Sequence, residues 1–151
     1  MNRKVYLLYY WLPPVLWMIF ISPLNELLSS SHTSSFLLPL LQWLFPQAAR
    51  ATLEAVHVFI RKMSHFLEYA FLAFLLFRAF RAGSREWRKE WLVSAGLIAI
   101  AYACLDECLQ SFIPSRTGSV YDWMIDATGV LSFMVIVALW NSGRRKYYDC
   151  N

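Results

Sequence analysis

The chain has 151 residues, a length for one domain, and 58% of them are hydrophobic and 17% aromatic. That is too apolar for an ordinary water-soluble domain of this size and points to an integral membrane protein. A net charge of +4 would suit a nucleic-acid binder if the cations lined one face, but they fall in short clusters at the ends of apolar runs, which excludes that class too.

The first predicted element is a helix over Val5–Ile21, uncharged and preceded by Arg3 and Lys4. It resembles a signal sequence, but Ser22-Pro23-Leu24 is a poor cleavage site, so a retained membrane helix is expected, kinked at Pro13-Pro14. A polar stretch, residues 29–35, leads to an apolar run from Phe36 to Phe45 that is interrupted by Pro39. That run is too short to span and fits a re-entrant or interfacial segment. From Ala48 to Ile60, Leu53, Val56 and Ile60 share one helical face and Glu54, His57 and Arg61 another. This reads as an amphipathic helix at the membrane surface, or equally as the first turns of one long helix.

Three further spans are expected at about 64–80, 91–112 and 120–140, the second stopping at Pro114. The fold class is therefore an all-α membrane protein: a four-transmembrane-helix bundle with an extra extracytoplasmic amphipathic or re-entrant segment between the first two spans. Three cysteines make no disulfide framework. Cys104 and Cys108, one turn apart in an apolar run, are expected to be small buried hydrophobes.

Four spans put both termini on one side. That side, with the loop between the second and third spans, holds ten of the fourteen basic residues and three acids (Glu86, Glu90, Asp149). The other side has Arg50, Arg61, Lys62 and Arg116 against seven acids. The asymmetry predicts cytoplasmic termini and places the unusual charges in the outer half of the bilayer.

Each of the last three spans carries a polar face near its outer end. At ~100° per residue, Lys62, His65 and Glu68 share an arc of ~120°, and Asp106, Glu107 and Gln110 one of ~100°. Asp122, Asp126 and Gly129 form a stripe in which Gly129 permits close approach of a neighbouring helix. A charge at the middle of a span costs on the order of 2.5–3.5 kcal/mol, so five carboxylates in such positions are expected to face one another and share Lys62, Arg61, Arg116 and His65 in a hydrated pocket.

Several chemistries fit these residues. His65 and Glu68, at i and i+3, can present two ligands to a metal, and Glu107 and Asp122 would complete a set; ion pairing alone explains them as well, and no metal is expected. Glu107, Asp122 and His65 are the candidate catalytic groups, since adjacent buried carboxylates can share a proton. They can equally bind cations or the ammonium of a phospholipid headgroup. Arg116, followed by Thr117-Gly118-Ser119, is a candidate phosphate or carboxylate fork, or a bridge to Asp122. No serine stands in a nucleophile-elbow or S-x-x-K context, and no phosphate-binding or dinucleotide loop is present, so the sequence names no cofactor.

The strings K-M-S-H-F-L-E-Y (Lys62 to Tyr69) and D-E-C-L-Q-S-F-I-P-S-R-T-G-S-V-Y-D-W-M-I-D-A-T-G (Asp106 to Gly129) resemble the VanZ-like family in order and spacing. The matching polar positions are Lys62, His65, Glu68, Glu107, Gln110, Arg116, Asp122 and Gly129. The family commonly has Pro-Gly-Arg where this chain has Pro114-Ser115-Arg116, and often Asn or Asp at the position of Asp126. The resemblance implies a bacterial cytoplasmic (inner) membrane protein and, in some members, low-level resistance to teicoplanin. With the polar faces it makes Lys62, His65, Glu68, Asp106, Glu107, Gln110, Arg116, Asp122 and Asp126 the expected ligand-binding set. The expected partner is a membrane lipid or lipid-linked cell-envelope amphiphile, and the alternative is a small intramembrane enzyme acting on a phospholipid or polyprenyl phosphate.

Overall fold

A computed structural model describes residues 3–22, 32–112 and 119–149, with side-chain surroundings for 5–22, 37–112 and 119–143. Among these residues there are five helices and no strand: α1 (Arg3–Ile21), α2 (His32–Leu44), α3 (Arg50–Arg81), α4 (Lys89–Gln110) and α5 (Val120–Asp149). Three of them, α3, α4 and α5, are long and apolar enough to cross a bilayer, and the apolar part of α1, Val5–Ile21, is shorter.

The surface helix expected over Ala48–Ile60 and the span expected at 64–80 are one helix of 32 residues, Arg50–Arg81. The reason is local: no Gly or Pro stands between Arg50 and Arg81, so nothing interrupts the hydrogen-bond ladder. At ~1.5 Å per residue it is about 48 Å long, roughly 18 Å more than a hydrocarbon core requires. It ends at Ala82 and Gly83, both at positive φ, with the Ala82 N–H on the Arg78 carbonyl. The apolar run after residue 35 lies in α2, a 13-residue helix that includes Pro39 and packs on α3.

The bundle closes by small residues. On α4, Leu92, Ala95, Ala99 and Ala103 repeat at helical spacing and are buried against Tyr69, Leu72, Ala73, Leu76 and Phe77 of α3 and Val130 of α5. In lipid, where an apolar surface gains little by leaving its solvent, such stripes associate because backbones can come close. The tightest approach is at Gly129, where the place of a Cβ is taken by the Phe66 carbonyl of α3. Outward-facing Leu97, Leu131, Val135, Ile136 and Leu139 stay exposed, as a lipid-facing belt should.

Helix α1 runs antiparallel to α3. Tyr10 meets Gly83 near the C-terminal end of α3, Trp11 stacks edge-on against Phe80, and the Trp17 indole donates to the Glu68 carbonyl at 3.1 Å. Tyr102 of α4 donates to the Met18 carbonyl at 2.6 Å. Because that half-buried carbonyl belongs to the last turn of α1, Tyr102→Phe should cost about 1–2 kcal/mol. The expected result is a lower melting temperature in detergent and faster proteolysis near residue 22.

Candidate functional site

The polar faces of α3, α4 and α5 meet at one end of the bundle. Lys62 reaches from α3 to Asp122 of α5 (Nζ to Oδ1, 3.6 Å), and one turn deeper His65 Nδ1 lies 3.7 Å from Asp126 Oδ1. On α4, Gln110 donates to Asp106 within the helix at 3.1 Å. The Ser119 backbone N–H, at the start of α5, donates to Glu107 at 2.8 Å and fastens α4 to α5. Asp106, Glu107 and Gln110 are buried, and Asp126 is 0% exposed.

Asp126 is the centre of this cluster. Glu107, Asp106, Asp122 and Glu68 all lie within electrostatic range of it, so five carboxylates from three helices converge. The basic side chains beside them on α3 are Lys62, His65 and Arg61. Both Asp126 oxygens are buried without a hydrogen bond among the described residues, and so is His65 Nδ1. The His65–Asp126 separation is too long for a hydrogen bond. Each unsatisfied buried group costs about 1–3 kcal/mol, and a charged one more, so the cluster is held at a cost in stability.

Most residues singled out from sequence are thus brought together: Lys62, His65, Glu68, Asp106, Glu107, Gln110, Asp122 and Asp126. Arg116 lies outside the described residues. The cavity bounded by Arg61, Lys62, His65, Asp122 and Ile125 has a volume of about 10 Å³, room for roughly one water molecule. A larger cavity, about 400 Å³, lies alongside, lined by Cys104, Glu107, Cys108, Ser111, Ser119 and Trp123 among others. Cys104 and Cys108 are exposed rather than buried, because α4 turns its Ala95, Ala99 and Ala103 stripe to the core and its thiols outward. The His65–Glu68–Glu107–Asp122 set, weighed from sequence only as an alternative, is not formed: among the described residues no group of three or more His, Cys, Asp or Glu is placed to hold an ion.

Tyr69, which helical phase places on the same arc as Lys62 and His65 but which is not among the expected site residues, is fully buried and lies close to Asp106 and Asp126. One participant escaped the sequence reading. The Ser119 N–H is a backbone group, invisible to any search by residue type.

A sequence model of the VanZ/LLP1 family matches residues 6–141, nearly the whole chain. The chain belongs to the VanZ-like family. Neither the curated proteins nor the solved structures yielded a match. Membership makes this a membrane protein of a family linked to teicoplanin resistance. The family match includes α1 as well as the charged end of the bundle, so the amino-terminal third, which carries no recognisable motif, is part of the VanZ-like domain.

Proposed function

We propose that the carboxylate end of the bundle is a headgroup site facing the outer leaflet, taking the amine-bearing headgroup of a membrane lipid or lipid-linked cell-envelope amphiphile. The observation that carries this reading is Asp126: fully buried, without hydrogen bonds among the described residues and ringed by four more carboxylates against Lys62, His65 and Arg61. Such a field attracts cations in a low-dielectric setting. The 400 Å³ cavity beside Glu107 offers mostly apolar walls next to that charge, the pairing an amphiphile needs. Competition for such an amphiphile, or for the lipid tail of a lipoglycopeptide, is how a protein of this shape would bear on teicoplanin.

The orientation belongs to the same proposal. Helix α1, alongside α3 from Gly83 to Glu68, serves as a fourth crossing, which puts both termini in the cytoplasm and the carboxylates outside. The alternative is an intramembrane enzyme with Glu107 or Asp122 as base. The Ser119 N–H on Glu107 and Lys62 opposite Asp122 hold the two carboxylates in place and leave each with lone pairs to spare, so product formation separates the two readings.

The test is native mass spectrometry of the purified protein with phosphatidylethanolamine and phosphatidylglycerol of identical acyl chains. Retention of the amine lipid at the outer site, lost in Glu107→Gln and Asp122→Asn with no product formed, is the expected outcome. Release of a lipid fragment, abolished by the same variants, would establish the enzyme instead, and unchanged binding in both would remove the site.

A further inference from the structure

At the opposite end of the bundle, α1, α3 and α5 enclose a cavity of about 670 Å³ that the carboxylate site does not use. Its polar wall is Arg78, Arg81 and Arg85, with Ser84; its apolar wall includes Phe74, Phe133, Ile136 and Val137. No carboxylate among the described residues lies within salt-bridge distance of these three arginines; the neighbouring acid, Glu86, is taken by Arg88 at 2.8 Å. The Arg78 guanidinium is held over the rings of Tyr9 and Tyr10, 4.9 and 5.3 Å from their centroids, and that of Arg81 over Phe77 at 5.7 Å. Stacking uses the faces of a guanidinium and leaves its in-plane N–H donors available, the geometry that grips a phosphate by two oxygens. Arg81 gives one Nη to the Ser84 carbonyl at 2.7 Å, while its Nε is buried and makes no hydrogen bond among the described residues.

We propose that this cavity binds an anionic phospholipid of the leaflet at the arginine end, its phosphate on Arg78, Arg81 and Arg85 and one acyl chain along Phe74, Phe133 and Ile136. Sidedness of charge explains why basic residues stand at this end, and the helix dipole favours two of them in the last turn of α3. Neither accounts for a cavity of this size with an aromatic cradle for one guanidinium. The layout matches the spacing of a lipid: Phe74 and Arg78 are one turn apart on α3, so the apolar wall lies about 6 Å deeper than the cations. Exposed Ile136 on α5 leaves the cavity open toward the lipid phase, by which a chain can enter laterally. Basic pockets between membrane helices recognise anionic headgroups by this combination.

The experiment is native mass spectrometry and lipid exchange on the intact protein, with phosphatidylglycerol and phosphatidylcholine of identical chains and, separately, water-soluble glycerol phosphate. Phosphatidylglycerol should be retained in preference to phosphatidylcholine. Arg78→Gln/Arg81→Gln/Arg85→Gln should weaken it about a hundredfold, given the ordinary worth of each basic residue near a headgroup. Arg88→Gln/Lys89→Gln, which removes charge from the same end, should weaken it far less than the triple variant, because neither residue lines the cavity and Arg88 is already paired with Glu86. Because the triple variant can compromise folding, Val137→Trp provides an independent arm: filling the apolar wall should displace the lipid while all cations remain. Equal loss in the Arg88/Lys89 control, retention in Val137→Trp, or binding of glycerol phosphate as tight as that of the lipid would each overturn the proposal. Asp122→Asn should leave this binding intact, so failure here and failure at the carboxylate end are told apart.

Discussion

Replacing Gly129 by leucine is expected to prevent assembly of the bundle, and alanine there should cost about 1–3 kcal/mol. A Cβ at this position would overlap the backbone carbonyl of Phe66, and a backbone atom cannot swing aside as a side chain can. Helix α3 would have to retreat from α5 along the most extensive helix contact in the molecule. The same retreat would open the Lys62–Asp122 and His65–Asp126 approaches, already 3.6 and 3.7 Å. Two other glycines calibrate the measurement. Gly96 faces the flexible side chain of Met134 and should tolerate alanine at a smaller cost; a Cβ on Gly143 meets nothing within 4 Å, so alanine there should be neutral or slightly stabilising. The readout is the melting temperature of detergent-solubilised protein, with the monodisperse fraction for the leucine variant. Equal melting of Gly129→Ala and Gly143→Ala would disprove the close approach.

The second large effect is a divergence between stability and binding at Asp126. Asp126→Asn keeps the shape of the side chain and replaces a buried ionisable carboxyl, which has no hydrogen bond among the described residues and four carboxylate neighbours, with an amide that carries no charge. It should therefore leave stability unchanged or raise it by about 1–3 kcal/mol, since nothing is left at this position for the neighbouring carboxylates to repel. The same substitution should lower affinity for an amine-bearing lipid at least tenfold, since the attraction it removes is the one proposed to hold the headgroup. His65→Leu should act oppositely on stability by removing the polar side chain that faces Asp126 Oδ1, and the double variant should recover much of that loss. If Asp126→Asn destabilised the protein, the carboxylate would be a structural element and the binding proposal would lose its footing.

The convergence of the polar residues was legible because helical phase is rigid. Once Lys62 and His65, Asp106 and Gln110, and Asp122 and Asp126 are each placed on one face, three packed helices have few ways to avoid bringing them together. Gly129 was readable for the same reason. Burial was not. In a bilayer the inside and the outside of the bundle are both apolar, so hydrophobicity could not tell that Ala99 faces the core and Cys104 and Cys108 do not. The division of residues 48–80 into two segments followed a change from amphipathic to uniformly apolar pattern, but a change of pattern does not break a helix when no Gly or Pro supports it. The arginine cavity needs Tyr9 and Tyr10 beside Arg78, and which helix lies next to α3 is a tertiary fact that no local pattern encodes.

The length of α3 has a mechanical consequence. It is one stiff rod from Arg50 to Arg81 with neither a proline nor a glycine at which to bend. Leu53, buried near the start of the rod, and His65, beside Asp126, therefore ride on the same lever. Whatever tilts the first turns of the rod must tilt the imidazole with them, and the carboxylate end cannot be disturbed without the disturbance being felt about 18 Å farther along the helix.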